Sequence, residues 1–244
     1  MQFKTELHAH TSEVSPCGHV TAPEVAERFI AEGYSSLVIT NHYCDYVIDN
    51  LKGSWQEKMD YYVYPYHLMK EYAGDRLNVI LGCELRFEGS INDYLIYGIT
   101  EEFLRANPDL HKMSLRTFAD LAHENGLLVV QAHPFRNGIT IVNPALLDGM
   151  ETFNGTPSYD GRNLVADAWA QQYGLIRTSG SDFHNPDQRG YGGILTSAAI
   201  RTGEELVSVL KIGNYILHCE GPAAEREGIT DYPQKIDFCF QGEK

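Results

Sequence analysis

Basic residues are scarce in this chain. Nineteen lysines and arginines face 33 acids across 244 residues, a net charge of −14 with histidine counted neutral, and the pI is near 5.1. No run of Lys or Arg occurs, which excludes the phosphate-neutralising surface of a typical polynucleotide binder and a polybasic patch for an anionic membrane. The opening Met1-Gln2-Phe3-Lys4-Thr5-Glu6 is not a secretory leader, and no apolar stretch approaches transmembrane length, so a cytoplasmic protein away from membranes is expected. Cysteine is also sparse: Cys17, Cys44, Cys83, Cys219 and Cys239 are odd in number and form no C-x-x-C pair, which argues against a disulfide scaffold. Low-complexity tracts, repeats and linkers are missing, and residues 1–244 are read as one domain. No G-x-S-x-G elbow, G-x-x-x-x-G-K-[ST] loop or H-E-x-x-H motif is present. Gly190-Tyr191-Gly192-Gly193 lacks the third glycine of a dinucleotide loop and reads as a turn bringing backbone close to a site.

What the chain does have is alternation. Short apolar runs at Lys4–Leu7, Ser36–Thr40, Leu77–Gly82, Tyr94–Ile99, Leu127–Gln131, Met150–Phe153 and Leu175–Thr178 read as strands. Helical patterns intervene. One runs from a Thr21/Glu24 capping box to Gly33, another over Trp55–Tyr72 with a break near Pro65, and others over Ser114–Asn125, Arg162–Tyr173 and Gly203–Ile212. Strand–helix alternation predicts an α/β barrel or doubly wound sheet. The link from Glu84 to Tyr94 is too short for a parallel crossover, so those strands are expected to be antiparallel.

Chemistry collects where the strands end. The endings read His8-Ala9-His10, Thr40-Asn41-His42, Gly82-Cys83-Glu84, Gln131-Ala132-His133-Pro134 and Ser179-Gly180-Ser181-Asp182-Phe183-His184. In parallel α/β architectures these ends share one face, where active sites lie. Residues i and i+2 of extended backbone point the same way, so His8 with His10, and Asp182 with His184, can converge. One histidine alone is more often structural, but structural histidines have no reason to recur at strand ends. Mixed His, Asp and Glu donors suit Zn, Mn or Fe, and a carboxylate such as Glu84 can bridge two ions. A multinuclear metal site accounts best for the set.

The ordered motifs H-x-H, T-N-H, G-C-E, A-H-P and S-D-F-H, spanning Leu7 to about Leu195, resemble the PHP (polymerase and histidinol phosphatase) family. The Ser179–Ile194 stretch is similar to its phosphoesterase branch. The resemblance implies a distorted (β/α)7 barrel with two or three divalent transition-metal ions at the C-terminal mouth of the strands. It implies His8, His10, Glu84 and Asp182 at a first ion, Glu84 and His133 at a second, and His42 and His184 at a third. Two positions depart from the family pattern. The third ion's remaining ligand falls nearest Cys17, with Glu13 and His19 as alternatives, and Asp93 stands where the second ion often takes a histidine.

The expected function is hydrolysis of a small phosphomonoester, an amino-alcohol phosphate or a nucleotide, by a metal-bridging hydroxide without a protein nucleophile. Asp182 and His184 are the expected catalytic groups. Arg136 either grips a phosphate oxygen or is a solvated loop residue, and Arg86 and Arg189 are weaker candidates. Tyr61, Tyr62, Tyr64 and Tyr66 are assigned no role. Partners beyond a small phosphorylated substrate are not expected: no membrane, no nucleic acid, no protein. The alternatives are a nuclease or cyclic phosphodiesterase on the same metals, a non-catalytic metal-binding domain, and an amidohydrolase or deaminase.

Overall fold

The computed structural model describes residues 2–229; Cys239 and the end of the tail lie outside the described residues. The strands are β1 (Phe3–Ala9), β2 (Tyr34–Ile39), β3 (His42–Tyr43), β4 (Asn78–Leu81), β5 (Cys83–Arg86), β6 (Asp93–Tyr97), β7 (Leu128–Gln131), β8 (Gly149–Asn154), β9 (Ile176–Gly180), β10 (Ile194–Thr196) and β11 (Ile216–Leu217). The helices are α1 (Ala22–Ala31), α2 (Asp45–Ile48), α3 (Trp55–Ala73), α4 (Glu101–Ala106), α5 (Leu115–Glu124), α6 (Asn163–Tyr173), α7 (Gly203–Ile212) and α8 (Gly221–Glu227).

Two sheets result, ordered β11-β10-β1-β2-β4 and β3-β5-β6-β7-β8-β9. They are joined on both sides. After a break at Thr40-Asn41, β2 passes into β3, and after Gly82, β4 passes into β5. The hydrogen bonds Gly82 N to Ile39 O (3.0 Å) and Glu84 N to Asn41 O (3.0 Å) carry the pairing across the break. On the other side, His10 N donates to Phe183 O at 3.0 Å and Phe183 N to His8 O at 3.3 Å, joining β1 to the chain that leaves β9. The cyclic order is therefore β1, β2–β3, β4–β5, β6, β7, β8, β9, a distorted seven-stranded α/β barrel. Among the seven described barrel strands β6 runs against its neighbours, as its short connection to β5 requires, and outside that ring β10 pairs antiparallel with β1 and β11.

Strand alternation divides the apolar residues between two layers. Leu7, Val38, Ile80, Leu95, Leu128 and Val130 pack together with Leu206 and Leu210 of α7. Their neighbours Leu37, Ile39, Ile96 and Val129 join a second cluster with Phe29 of α1, Met59 of α3 and Phe118 of α5. The polar strand ends continue from this apolar packing and are almost as inaccessible as the core.

The helices follow their capping signals. The Glu24 carboxylate accepts from Thr21 N at 3.0 Å to start α1, and Gly33 follows the helix with φ of 77°. One expectation is corrected: α3 is continuous, with buried Pro65 inside it rather than at a break. Its buried face (Met59, Tyr62, Val63, Met69) packs on the core, and that burial outweighs the backbone hydrogen bond proline cannot donate. Among the described residues no helix is long and apolar enough to cross a membrane.

Candidate metal centre

Five histidines and two acids from distant parts of the chain meet at the mouth of the barrel. β1 ends in His8 and His10, β3 begins with His42, β5 carries Glu84, the loop after β7 carries His133, and the loop after β9 carries Asp182 and His184. His8 Nε2 lies 3.1 Å from His10 Nε2, 3.3 Å from Asp182 Oδ1 and 3.5 Å from Glu84 Oε1. His10 Nε2 is 3.3 Å from Glu84 Oε2, and His42 Nδ1 is 2.9 Å from the same oxygen. The His10 and His184 rings stack with centroids 4.2 Å apart. Four overlapping groups bring their donor atoms within reach of a shared ion: His8, His10 and Asp182; His10, His42 and His184; His8, Glu84 and His133; and His42, Glu84 and Asp93.

Second partners fix the orientation of these rings. His8 Nδ1 donates to Glu151 Oε1 at 2.8 Å. Ser15 Oγ donates to Asn41 Oδ1 at 3.0 Å, so His10 Nδ1, 3.2 Å from that hydroxyl, donates to it. His184 Nδ1 donates to the carbonyl of Asp182 at 2.8 Å. In each ring the inward Nε2 keeps its lone pair, the arrangement of metal-binding histidines. Lone pairs of His8 and His10 thus face carboxylate oxygens of Glu84 and Asp182, acceptors against acceptors. Glu84 Oε2 and His42 Nδ1 are buried without a hydrogen-bond partner. A divalent cation satisfies such a set, and the donors fit one.

Without an ion, protons do the balancing. Burial would lower the His8 and His42 imidazoles, yet Glu151 and Asp182 beside His8, and Glu84 beside His42, hold both well above the usual histidine range. Burial would raise the Glu84 and Asp182 carboxyls, but His42 and His8 keep them well below theirs. His10, buried next to His184, is pushed well down. Burial opposes the Cys17 thiolate, but the neighbouring His184 and His42 bring the thiol down to about 6. Of the three candidates for the last ligand, Cys17 is the one whose thiol feels His184 and His42, but it is exposed and belongs to none of the close donor groups. Glu13 instead accepts from Ala22 N at 2.9 Å, and the exposed His19 meets His184 through its backbone N–H.

Asp93 also reaches the mouth, beside His42 and Glu84, but its carboxylate is shared by two arginines. Arg86 grips it with Nε at 2.6 Å and Nη2 at 2.7 Å, and Arg136 Nη2 adds a bond of 3.1 Å. Arg136 Nε donates to His133 Nδ1 at 3.1 Å. Arg189 is elsewhere, paired with Glu32. Tyr61 and Tyr62 spend their hydroxyls on the Glu13 and Asn41 carbonyls, and Tyr64 is exposed.

Three supporting residues escaped the sequence reading. Glu151 Oε2 accepts from His133 N at 2.8 Å and Asn154 Nδ2 at 2.9 Å, so one buried carboxylate braces both His8 and His133. Glu6, buried, accepts from His8 N and Ser181 N at 2.8 Å each. Tyr159 donates to Asp182 Oδ2 at 2.8 Å. A signal existed for Glu151, the one acid of β8, whereas Tyr159 is a loop tyrosine among fifteen. His133 and Asp182 adopt φ of 30° and 50°, a backbone region costly for non-glycine residues and one that marks sites held by surrounding structure.

Fold and cluster together define the class: an α/β barrel with a buried metal-type centre at the ends of its strands. The chain belongs to the PHP domain family, whose model matches residues 6–216, and family and cluster together mark a metal-dependent hydrolase. No curated protein matches it. Among solved structures it is similar to PsfC from Pseudomonas syringae, with TM-score 0.62 and 17% identity over 85% of this chain and 88% of that one. It is also similar to an amidohydrolase from Chromobacterium violaceum, solved with bound sulfate and no metal, with TM-score 0.50 and 16% identity over 84% and 96%. A Bifidobacterium adolescentis protein provisionally called a metal-dependent phosphoesterase gives 0.46 and 16% over 85% and 95%.

Proposed function

We propose that this protein is a metal-dependent phosphoesterase acting on a small phosphomonoester, of the amino-alcohol phosphate or nucleotide kind. The observation that carries this reading is the pairing of a buried His/Glu/Asp centre with two arginines at its edge. Arg86 and Arg136 line an open cleft of about 290 Å³ together with Ile91, Asn137, Gly138 and Ile139. His8, His10, Glu84 and Asp182 would hold one divalent ion, and His42, His184 and Cys17 another. Such ions lower the pKa of bound water and offset charge on phosphoryl oxygens. The chain's own groups do the rest. Glu151, Ser15 and the Asp182 carbonyl keep the inward imidazole nitrogens unprotonated, Tyr159 orients Asp182, and the guanidinium groups bind phosphate oxygens.

The net charge of −14 counts against polynucleotides, and the free thiols Cys17, Cys44, Cys83 and Cys219 suit a reducing cytoplasm. Amide hydrolysis is the rival favoured by a specific observation, the similar fold of the Chromobacterium amidohydrolase. A substrate panel on protein loaded with Zn, Mn or Fe separates the readings. Turnover of phosphomonoesters, lost on chelation and in His8→Ala and Asp182→Ala variants that melt cooperatively, is the expected result. Hydrolysis confined to single-stranded DNA, cyclic phosphodiesters or amides would replace it, and chelator-resistant turnover would end the metal-dependent reading.

A further inference from the structure

His133 is wired in the opposite sense to His8, His10 and His184. His8, His10 and His184 each donate from Nδ1 and leave Nε2 open, but His133 Nδ1 receives a hydrogen bond from Arg136 Nε at 3.1 Å. A guanidinium can only donate, so Nδ1 carries no proton and the ring's proton sits on Nε2. That N–H points at Glu84 Oε1, 2.9 Å away, and donates to it. The inward nitrogen of His133 is therefore a donor, with no lone pair for a metal. The other ligands of that position are committed too. Glu84 Oε1 accepts from His133, and both oxygens of Asp93 are held by Arg86 and Arg136. By contrast Glu84 Oε2, facing His10 and His42, has no hydrogen-bond partner.

We infer that this chain holds two ions rather than three, and that Arg136, positioned by Asp93 and His133, supplies the positive charge of the missing second ion. Two guanidinium groups against one Asp93 carboxylate leave one net positive charge at the edge of the centre. Arg136 spends Nε on His133 and one Nη2 contact on Asp93, and the guanidinium has five N–H donors in all, so others remain for a substrate oxygen in the adjoining cleft. Asp93 and His133 are then positioning residues, and their partner Glu151 fixes the His133 backbone by accepting its N–H.

The inference rests on the metal-dependent reading above, and metal content tells the two apart. Wild-type protein dialysed against Zn²⁺ or Mn²⁺ and analysed by plasma mass spectrometry is expected to carry two ions per chain. His133→Ala is expected to keep two. Three ions in the wild type, falling to two in His133→Ala, would overturn this inference and leave the phosphoesterase reading intact, whereas no bound ion would overturn both. A measurement needing no variant decides the same point. In ¹⁵N spectra of the loaded protein, the His133 ring should keep its Nε2–H as Zn²⁺ is titrated to saturation. Loss of that proton on loading would show a metal on His133 and refute the assignment.

Discussion

Glu151→Gln isolates the outer support of the centre with least steric change. The carboxylate accepts three hydrogen bonds in a fully buried setting, from His8 Nδ1, His133 N and Asn154 Nδ2, at 2.8, 2.8 and 2.9 Å. An amide keeps one acceptor oxygen and turns an NH₂ toward at least one of these donors. Leaving one buried donor unmet costs the metal-free protein about 1–3 kcal/mol. The His8 imidazole also loses the charge that raises its basicity, and removing such a carboxylate partner typically weakens metal affinity about 10–100-fold. That range corresponds to about 1.4–2.7 kcal/mol. Proton competition sets the best conditions for the measurement. In the wild type Glu151 and Asp182 hold the His8 pKa well above its usual value, so an ion must displace a proton below that raised pKa. The substitution weakens that competition, so the deficit is largest at alkaline pH and shrinks as the pH falls. Chelator-competition titrations at several pH values, with thermal unfolding of the metal-free protein alongside, read both quantities. A Glu151→Gln variant that binds Zn²⁺ within about threefold of wild type at alkaline pH would refute the bracing role argued from these contacts.

Other consequences follow from the same packing. Burial raises the Glu6 carboxyl to about 7 against the hydrogen bonds from Ser181 and His8, so ¹³C titration of the metal-free protein should find its midpoint there. Because the folded value lies above the unfolded one, this group's stabilising contribution is complete below about pH 4.5 and is lost as pH rises through 7; a midpoint near 4.5 would disprove it. Gly180→Ala would place a Cβ 2.4 Å from His8 Cβ and 2.6 Å from Glu151 Oε1. It should destabilise by about 1–3 kcal/mol and reduce metal loading, both visible in unfolding curves taken with and without Zn²⁺. Phe29→Ala removes a buried ring lying edge-on to Tyr34 and Phe183, at 4.8 and 5.4 Å, and should cost about 3–5 kcal/mol in denaturant unfolding. Phe183 lies between Asp182 and His184, so the same variant should also lose metal affinity.

Much of the centre was readable before folding because its residues sit in short local motifs. His8-Ala9-His10 and Asp182-Phe183-His184 each put two donors on one side of extended backbone, and strand–helix alternation brings the ends of parallel strands to one face. The antiparallel course of β6 was also legible, from chain length alone. In the sequence Arg136 is only a residue near His133, and Asp93 only a substitute ligand. Their actual partners could not be seen locally, because Arg136 meets Asp93 across 43 positions of sequence and His8 meets Glu151 across 143. The continuity of α3 through Pro65 departs from the sequence expectation for a related reason. Backbone chemistry at proline argues for a break, and burial against the core, a long-range effect, overrides it.

The division follows from the range of the forces involved. Residue order alone was enough to specify which donors exist, that they stand at strand ends, and that an acidic chain would need cations to hold a phosphate. Those are matters of composition, local backbone geometry and charge. Tertiary structure decided how each imidazole carries its proton, because that depends on the second partner of every ring. Glu151 and Ser15 free the inner nitrogens of His8 and His10 for a metal, while Arg136 turns His133 into a donor toward Glu84. A hydrogen bond is settled by a few tenths of an ångström between atoms far apart in the chain, and only the closed barrel brings them that near.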